Sequence, residues 1–152
     1  MSFLKQHYKF PIKIKTRVSG NKISKRYLNN YLKENQFTKR DRVFLFYDLD
    51  IEGIFEKLKA IDGADLLITN PCIELWFLLH FEQVKHDISC TDSFNRLQNH
   101  LNGYQKGNAA SSHFTEIHER VQAATNRARA LEDPKNPCST VFQLIDLLEN
   151  QD

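Results

Sequence analysis

No stretch of this sequence is apolar for long enough to cross a membrane, and its first residues, MSFLKQHYKF, lack the long greasy segment of a secretion signal. The three cysteines, Cys72, Cys90 and Cys138, form no CxxC pair and leave an odd one over, which argues against a disulfide framework or a zinc knuckle. Together these absences predict a cytoplasmic protein in a reducing compartment. Nor does the chain contain a GxGxxG, a P-loop GxxxxGK, a GxSxG or an HExxH pattern, so the common nucleotide-binding, serine-hydrolase and zinc-protease signatures are missing. His113 and His118 are five apart, too far around a helix to share a metal comfortably.

Acidic residues are scarce at one end. Residues 1–42 hold 12 Lys and Arg against 2 acids, whereas residues 43–152 hold 9 against 17, so an overall net charge of +2 hides one part at +10 and another at −8. A basic segment beside an acidic one attracts phosphate to one surface and a divalent cation to another, as an enzyme acting on nucleic acid requires. Solvated surface lysines give the same totals. The 152 residues, 41% hydrophobic and 11% aromatic with eleven Phe, suffice for one ordinary folded domain spanning 1–152, with 1–42 as its basic N-terminal part.

Residues 12–18, IKIKTRV, alternate apolar and basic like a half-exposed strand near a sheet edge. Residues 22–34 carry apolar positions at helical spacing on a basic background. Residues 43–47 are continuously apolar, as in a strand covered on both faces, and are terminated by Asp48, Leu49 and Asp50. A helix over 51–60 and a second apolar strand over 64–69 complete a parallel crossover unit. Asn70 and Pro71 then read as N-cap and first position of a helix reaching Phe81, apolar on nearly every side except at Glu74 and His80. Beyond it the spacing predicts a helix over 91–101, a loop over 102–112, a long helix lined by Phe114, Ile117, Val121, Ala124, Ala128 and Leu131, and a last helix carrying Val141, Leu144, Ile145 and Leu148. The class is α/β with a mainly parallel central sheet and a helical C-terminal half.

Asp48 and Asp50 are two apart on an extended segment, so both side chains leave one face at the carboxyl end of a parallel strand, where open α/β sheets place ligands. Two convergent carboxylates suit Mg²⁺ or Mn²⁺. Asp50 alternatively caps the following helix. Glu74, in a first helical turn, is equally explained by the helix dipole, and His80 by capping carbonyls at the far end. Lys106, beside Tyr104 and Gly107, sits in a loop from which an ammonium reaches a phosphate oxygen, although most loop lysines do nothing of the kind.

The blocks FYDLD at 46–50 and NPCIELWFLLHF at 70–81 closely resemble the two signature blocks of RloB-like proteins, a Toprim-related phage-defence family. GYQKGN at 103–108, AATNRARA at 123–130 and NPCSTVFQLIDLLE at 136–149 resemble the later blocks in the family's order. The resemblance spans about residues 42–149. It implies a Toprim-like three-layer fold and a metal-dependent nuclease role in abortive infection, often alongside an ATPase or restriction subunit. It places Asp48 and Asp50 on the acidic pair and metal site, Asn70, Glu74, Trp76 and His80 on the second block, and Lys106 on the basic position of the third. Trp76 reads better as core than as chemistry. Toprim-type domains open with a strand ending in Glu, and no Glu here precedes Glu34, so the resemblance implies a chain lacking that strand. Two functions follow as expectations: a Mg²⁺- or Mn²⁺-dependent nuclease on DNA or RNA, or a catalytically silent member that docks on nucleic acid or an ATPase. A homo-oligomer suits either.

Overall fold

The computed structural model describes residues 15–107 and 111–150. Of the strand expected over 12–18, residues 12–14 lie outside the described set and residues 15–18 adopt no regular structure. A 3₁₀ turn, Gly20–Lys22, leads into α1, Lys25–Glu34. This helix starts three residues later than its apolar spacing suggests because Ser24 caps it, its hydroxyl accepting from the Tyr27 N–H at 3.1 Å.

β1, Phe44–Asp48, and β2, Asp65–Asn70, pair in parallel, with Phe44 opposite Asp65 and Asp48 opposite Thr69. The crossover between them carries α2, Ile54–Lys59. A third, two-residue strand, β3 (Cys138–Ser139), lies antiparallel to the end of β2. Among the described residues the sheet therefore has the order β1-β2-β3 and is mixed, with the long β1–β2 pair parallel and the short β3 adding an antiparallel edge. The reason is local: the last residues of β2 have ladder positions left over, and Thr69 and Asn70 use them to pair with Ser139 and Cys138.

Alternation along the strands sends side chains to both faces. Leu45 and its neighbour Leu66 pack with Ile23, Leu28, Ile54 and Leu58 under α1 and α2. Leu67 and Phe44 point the other way, onto Leu144 and Leu148 of α7, Phe142–Glu149. Helices thus cover both faces, and the α/β class holds.

α3, Ile73–Leu78, follows β2, and Leu75, Trp76 and Leu78 join the largest core cluster, together with Ala124 and Ala128 of α6, Val121–Arg129. The expectation that Asn70 caps this helix is corrected. Asn70 closes β2 and its side-chain amide donates to the Pro134 carbonyl at 2.8 Å, so Cys72 stands at the N-cap instead. Beyond Leu78 the helix tightens into three-residue turns, with His80 N–H on Phe77 O and Phe81 N–H on Leu78 O. α4, Cys90–His100, and α5, Ser111–His118, complete the set. No helix among the described residues is long and apolar enough to cross a membrane.

Candidate acidic site

Asp48 ends β1, and the parallel register puts it directly across from Thr69. The Thr69 hydroxyl donates to Asp48 Oδ1 at 2.5 Å, and Thr69 is fully buried. The ladder continues one residue further, Leu49 N–H to Thr69 O at 2.8 Å, so the backbone beneath the carboxylate is fixed. Burial raises the pKa of Asp48, the Thr69 hydrogen bond opposes that, the negative charges of Asp50 and Glu74 add to the rise, and Lys106 counters it. The aspartate therefore lies in the field of both other acids and of the lysine.

Asp50 is exposed, and it does not cap α2: Gly53 holds the N-cap position in the left-handed region, with no side-chain cap bond. That removes the capping explanation for this residue.

Glu74 enters from the first turn of α3 with its side chain 1% exposed. The loop between α4 and α5 meets it twice. Tyr104 Oη donates to Oε1 at a long 3.5 Å, and Lys106 Nζ lies 3.7 Å from Oε2. Oε2 has no hydrogen-bond partner. Burial pushes the Tyr104 hydroxyl up, and the Glu74 charge pushes it further; the same charge raises the pKa of Lys106. The Cys72 thiol is also pushed up, by burial first and then by its contacts with Cys90 and Glu74.

Three of the other residues singled out from the sequence lie apart from this cluster. His80 is 2% exposed, and its Nδ1–H donates to the Trp76 carbonyl at 2.9 Å. Burial lowers its pKa to about 4, and the charged neighbours it feels are Arg127 and Arg120, not the acids. Trp76 meets the His80 ring edge-on at 4.9 Å inside the core. Asn70 is committed to Pro134. The structure sets Lys106 and Tyr104 against Glu74 and Thr69 against Asp48, with Asp50 exposed two residues beyond; Thr69 and Tyr104 are the two that sequence reasoning passed over. Thr69 was accessible in principle, since pairing the two apolar strands end to end puts it opposite Asp48. Tyr104 adjoins Lys106 in GYQKGN.

Among the described residues, no three His, Cys, Asp or Glu side chains converge tightly enough to enclose a metal ion by themselves. That excludes a closed zinc-type cage made from them. Burial is the main reason that the pKa of Asp48 is raised, with the charges of Asp50 and Glu74 adding less.

A family model described as RloB-like protein matches residues 2–148, so the likeness extends through the basic N-terminal stretch as well as the signature blocks. No curated protein and no solved structure matches the chain. With the match covering nearly all of its length, the chain belongs to the RloB-like protein family.

Proposed function

We propose that this chain is a Mg²⁺- or Mn²⁺-dependent nuclease domain of a phage-defence system, with a Toprim-like site, acting on DNA or RNA phosphodiesters. The observation that carries the reading is the half-buried Asp48 at the carboxyl end of the parallel pair, its carboxylate held by Thr69, with the exposed Asp50 two residues on. Asp48 and Asp50 would hold the ion, Asp48 aimed by Thr69. A bound ion of this kind polarises a phosphoryl oxygen and lowers the pKa of its water. Lys106, its side chain 62% exposed, supplies a mobile positive charge to a substrate phosphate. The exposed cations Lys22, Arg26, Lys33, Lys39 and Arg40 supply the sequence-independent attraction for the polyanion.

The test is nicking of supercoiled plasmid and of single-stranded RNA with Mn²⁺, comparing the wild type with Asp48→Asn/Asp50→Asn. The double variant, verified as folded by circular dichroism, loses at least about 100-fold in rate, the scale on which electrostatic stabilisation of a transition state operates. Undiminished cleavage by that variant would show that the aspartates are not the ligands. A second reading, a silent module that binds nucleic acid or a partner ATPase, is favoured by the lack of a third converging ligand among the described residues. Salt-dependent binding without Mn²⁺-dependent nicking selects it.

A further inference from the structure

Ser139 carries a hydroxyl that the fold leaves unused. The residue is 1% exposed, and its Oγ has no hydrogen-bond partner among the described residues. Ser93 and Thr125 carry unpartnered hydroxyls too, but both sit within helices, where a carbonyl one turn back is at hand. Ser139 is in a strand, and its ladder neighbour Thr69 already donates to Asp48. A buried hydroxyl without a partner works against the fold, so what it faces matters. It lines a cleft of about 230 Å³ between β3, the end of α6 and the start of α7, together with Arg129, Asp133, Phe142 and Gln143.

The lining decides what fits. The Arg129 guanidinium lies 4.8 Å from the centroid of the Phe142 ring, and one of its nitrogens is 2.6 Å from each Asp146 oxygen, so its plane is held while the side chain stays 51% exposed. Asp146 thus answers its charge. Asp133 adds an exposed carboxylate with no ion pair among the described residues, so an anion entering the cleft meets uncompensated negative charge. A neutral planar group suits the lining better: a flat platform to stack on, a carboxylate that accepts N–H donors, and hydroxyl and amide donors for ring acceptors. A nucleobase with an exocyclic amine carries that set of groups. Uracil instead flanks its one N–H with two carbonyls, which a carboxylate repels. The position also suits a nucleic-acid ligand. Residues directly across a ladder share a face, so the row Asp48, Thr69, Ser139 puts the cleft on the face of Asp48, two strand spacings or roughly 10 Å away.

We propose that this cleft binds a single unstacked nucleobase bearing an exocyclic amine, with Arg129 and Phe142 as the stacking platform, Asp133 accepting from the amine and Ser139 donating to a ring nitrogen or carbonyl. As a substrate contact the cleft rests on the reading of the chain as acting on nucleic acid, and it narrows the substrate to strands with an unpaired base. Binding of a free nucleoside needs no such reading.

The experiment is a ¹H–¹⁵N correlation titration of the full chain, without metal, using adenosine, cytidine, guanosine, uridine and ribose 5-phosphate in turn. At least one of the three amine-bearing nucleosides shifts the amide signals of Ser139, Phe142 and Gln143 saturably, and uridine binds at least about tenfold more weakly, the scale of a hydrogen bond to a charged group. Ser139→Ala weakens the bound nucleoside about fivefold, as loss of one neutral hydrogen bond does, and Asp133→Asn narrows the gap to uridine. Asp48→Asn/Asp50→Asn binds it as the wild type does. No saturable shift at those amides with any nucleoside overturns the proposal, as does ribose 5-phosphate moving them equally, uridine binding as tightly as the others, or Ser139→Ala and Asp133→Asn both leaving the affinities unchanged. Nicking by a wild type that binds no nucleoside sinks the cleft alone; nucleoside binding by a wild type that does not nick sinks the nuclease reading alone.

Discussion

At the scale of single residues, burial and the charges of Asp50 and Glu74 make ionised Asp48 costly to the folded state at neutral pH, against the partial relief of its Thr69 hydrogen bond. Asp48→Asn keeps an oxygen for Thr69 and removes the charge. It is expected to stabilise the fold by roughly 0.5–2 kcal/mol while abolishing Mn²⁺-dependent cleavage, the usual trade-off where a site is built from strained groups. Because the folded-state pKa is raised, the gain is full at pH 7 and disappears as acid protonates the wild-type carboxyl, which melts at several pH values will show. His80 gives the opposite case. Its folded pKa of about 4 lies below the ordinary 6.5, so between those values the unfolded chain binds a proton that the folded chain refuses. Stability therefore rises with pH across that window, by roughly 3 kcal/mol for a shift of this size. Urea titrations of wild type and His80→Gln from pH 7 to pH 4 check it: the variant loses much of the slope. Both residues were visible in the sequence as candidates, yet only their surroundings separate them. Asp48 joins other charges, and His80 is walled off among Trp76, Arg127 and Arg120.

Elements were legible where one side chain settles a boundary, and less so where two cores compete for one segment. The strands at Phe44–Asp48 and Asp65–Asn70 follow from their apolar runs. The apolar face from Phe114 to Leu131 reads as one long helix, but α5 and α6 are separate because they serve different cores. Ile117 packs with Tyr104 and Leu101, whereas Ala124 and Ala128 pack with α3, and Arg120 breaks the helical dihedrals between them. β3 is two residues long and has no periodicity to detect; its place is set by the tail of β2 and by Thr140, whose hydroxyl accepts from the Ile68 N–H at 2.9 Å. The cap of α4 tests this kind of control. Ser89 Oγ accepts from Asp92 N–H at 3.0 Å, so Ser89→Ala is expected to cost about 1 kcal/mol in chemical denaturation. The loss matters beyond stability, because α4 leads into the loop that carries Tyr104 and Lys106 to Glu74.

Over the whole molecule, the opposition of a +10 and a −8 part was plain in the sequence, but the total overstates the charge free to meet a polyanion. Among the described residues, three members of the basic part are held in ion pairs: Lys25 with Asp62 at 2.7 Å, Arg42 with Asp65 at 2.7 Å, and Arg17 with Glu34 at 3.9 Å. Two of these pairs tie the basic part to the crossover and to β2, so they help seat the N-terminal helix on the sheet. Such exposed pairs are individually worth about 0–1 kcal/mol, yet each withdraws a cation from the surface. Arg26, Lys39 and Arg40 are exposed, and no ion pair holds them among the described residues. Lys22 and Lys33 are exposed and unpaired in the same way, and Arg26, Lys39 and Arg40 are taken as the test of this set. Replacing each by Ala should weaken binding to any nucleic acid by a similar factor, and each should lower the slope of log affinity against log salt by about one. The same substitution at Lys25 or Arg42 should change that slope less and the melting temperature more. A fluorescence-anisotropy titration over a range of salt concentrations, with a duplex and a single strand of unrelated sequence, measures both effects. Equal slopes for all five variants would place the nucleic-acid surface elsewhere, and the basic N-terminal part would then serve solubility and packing alone.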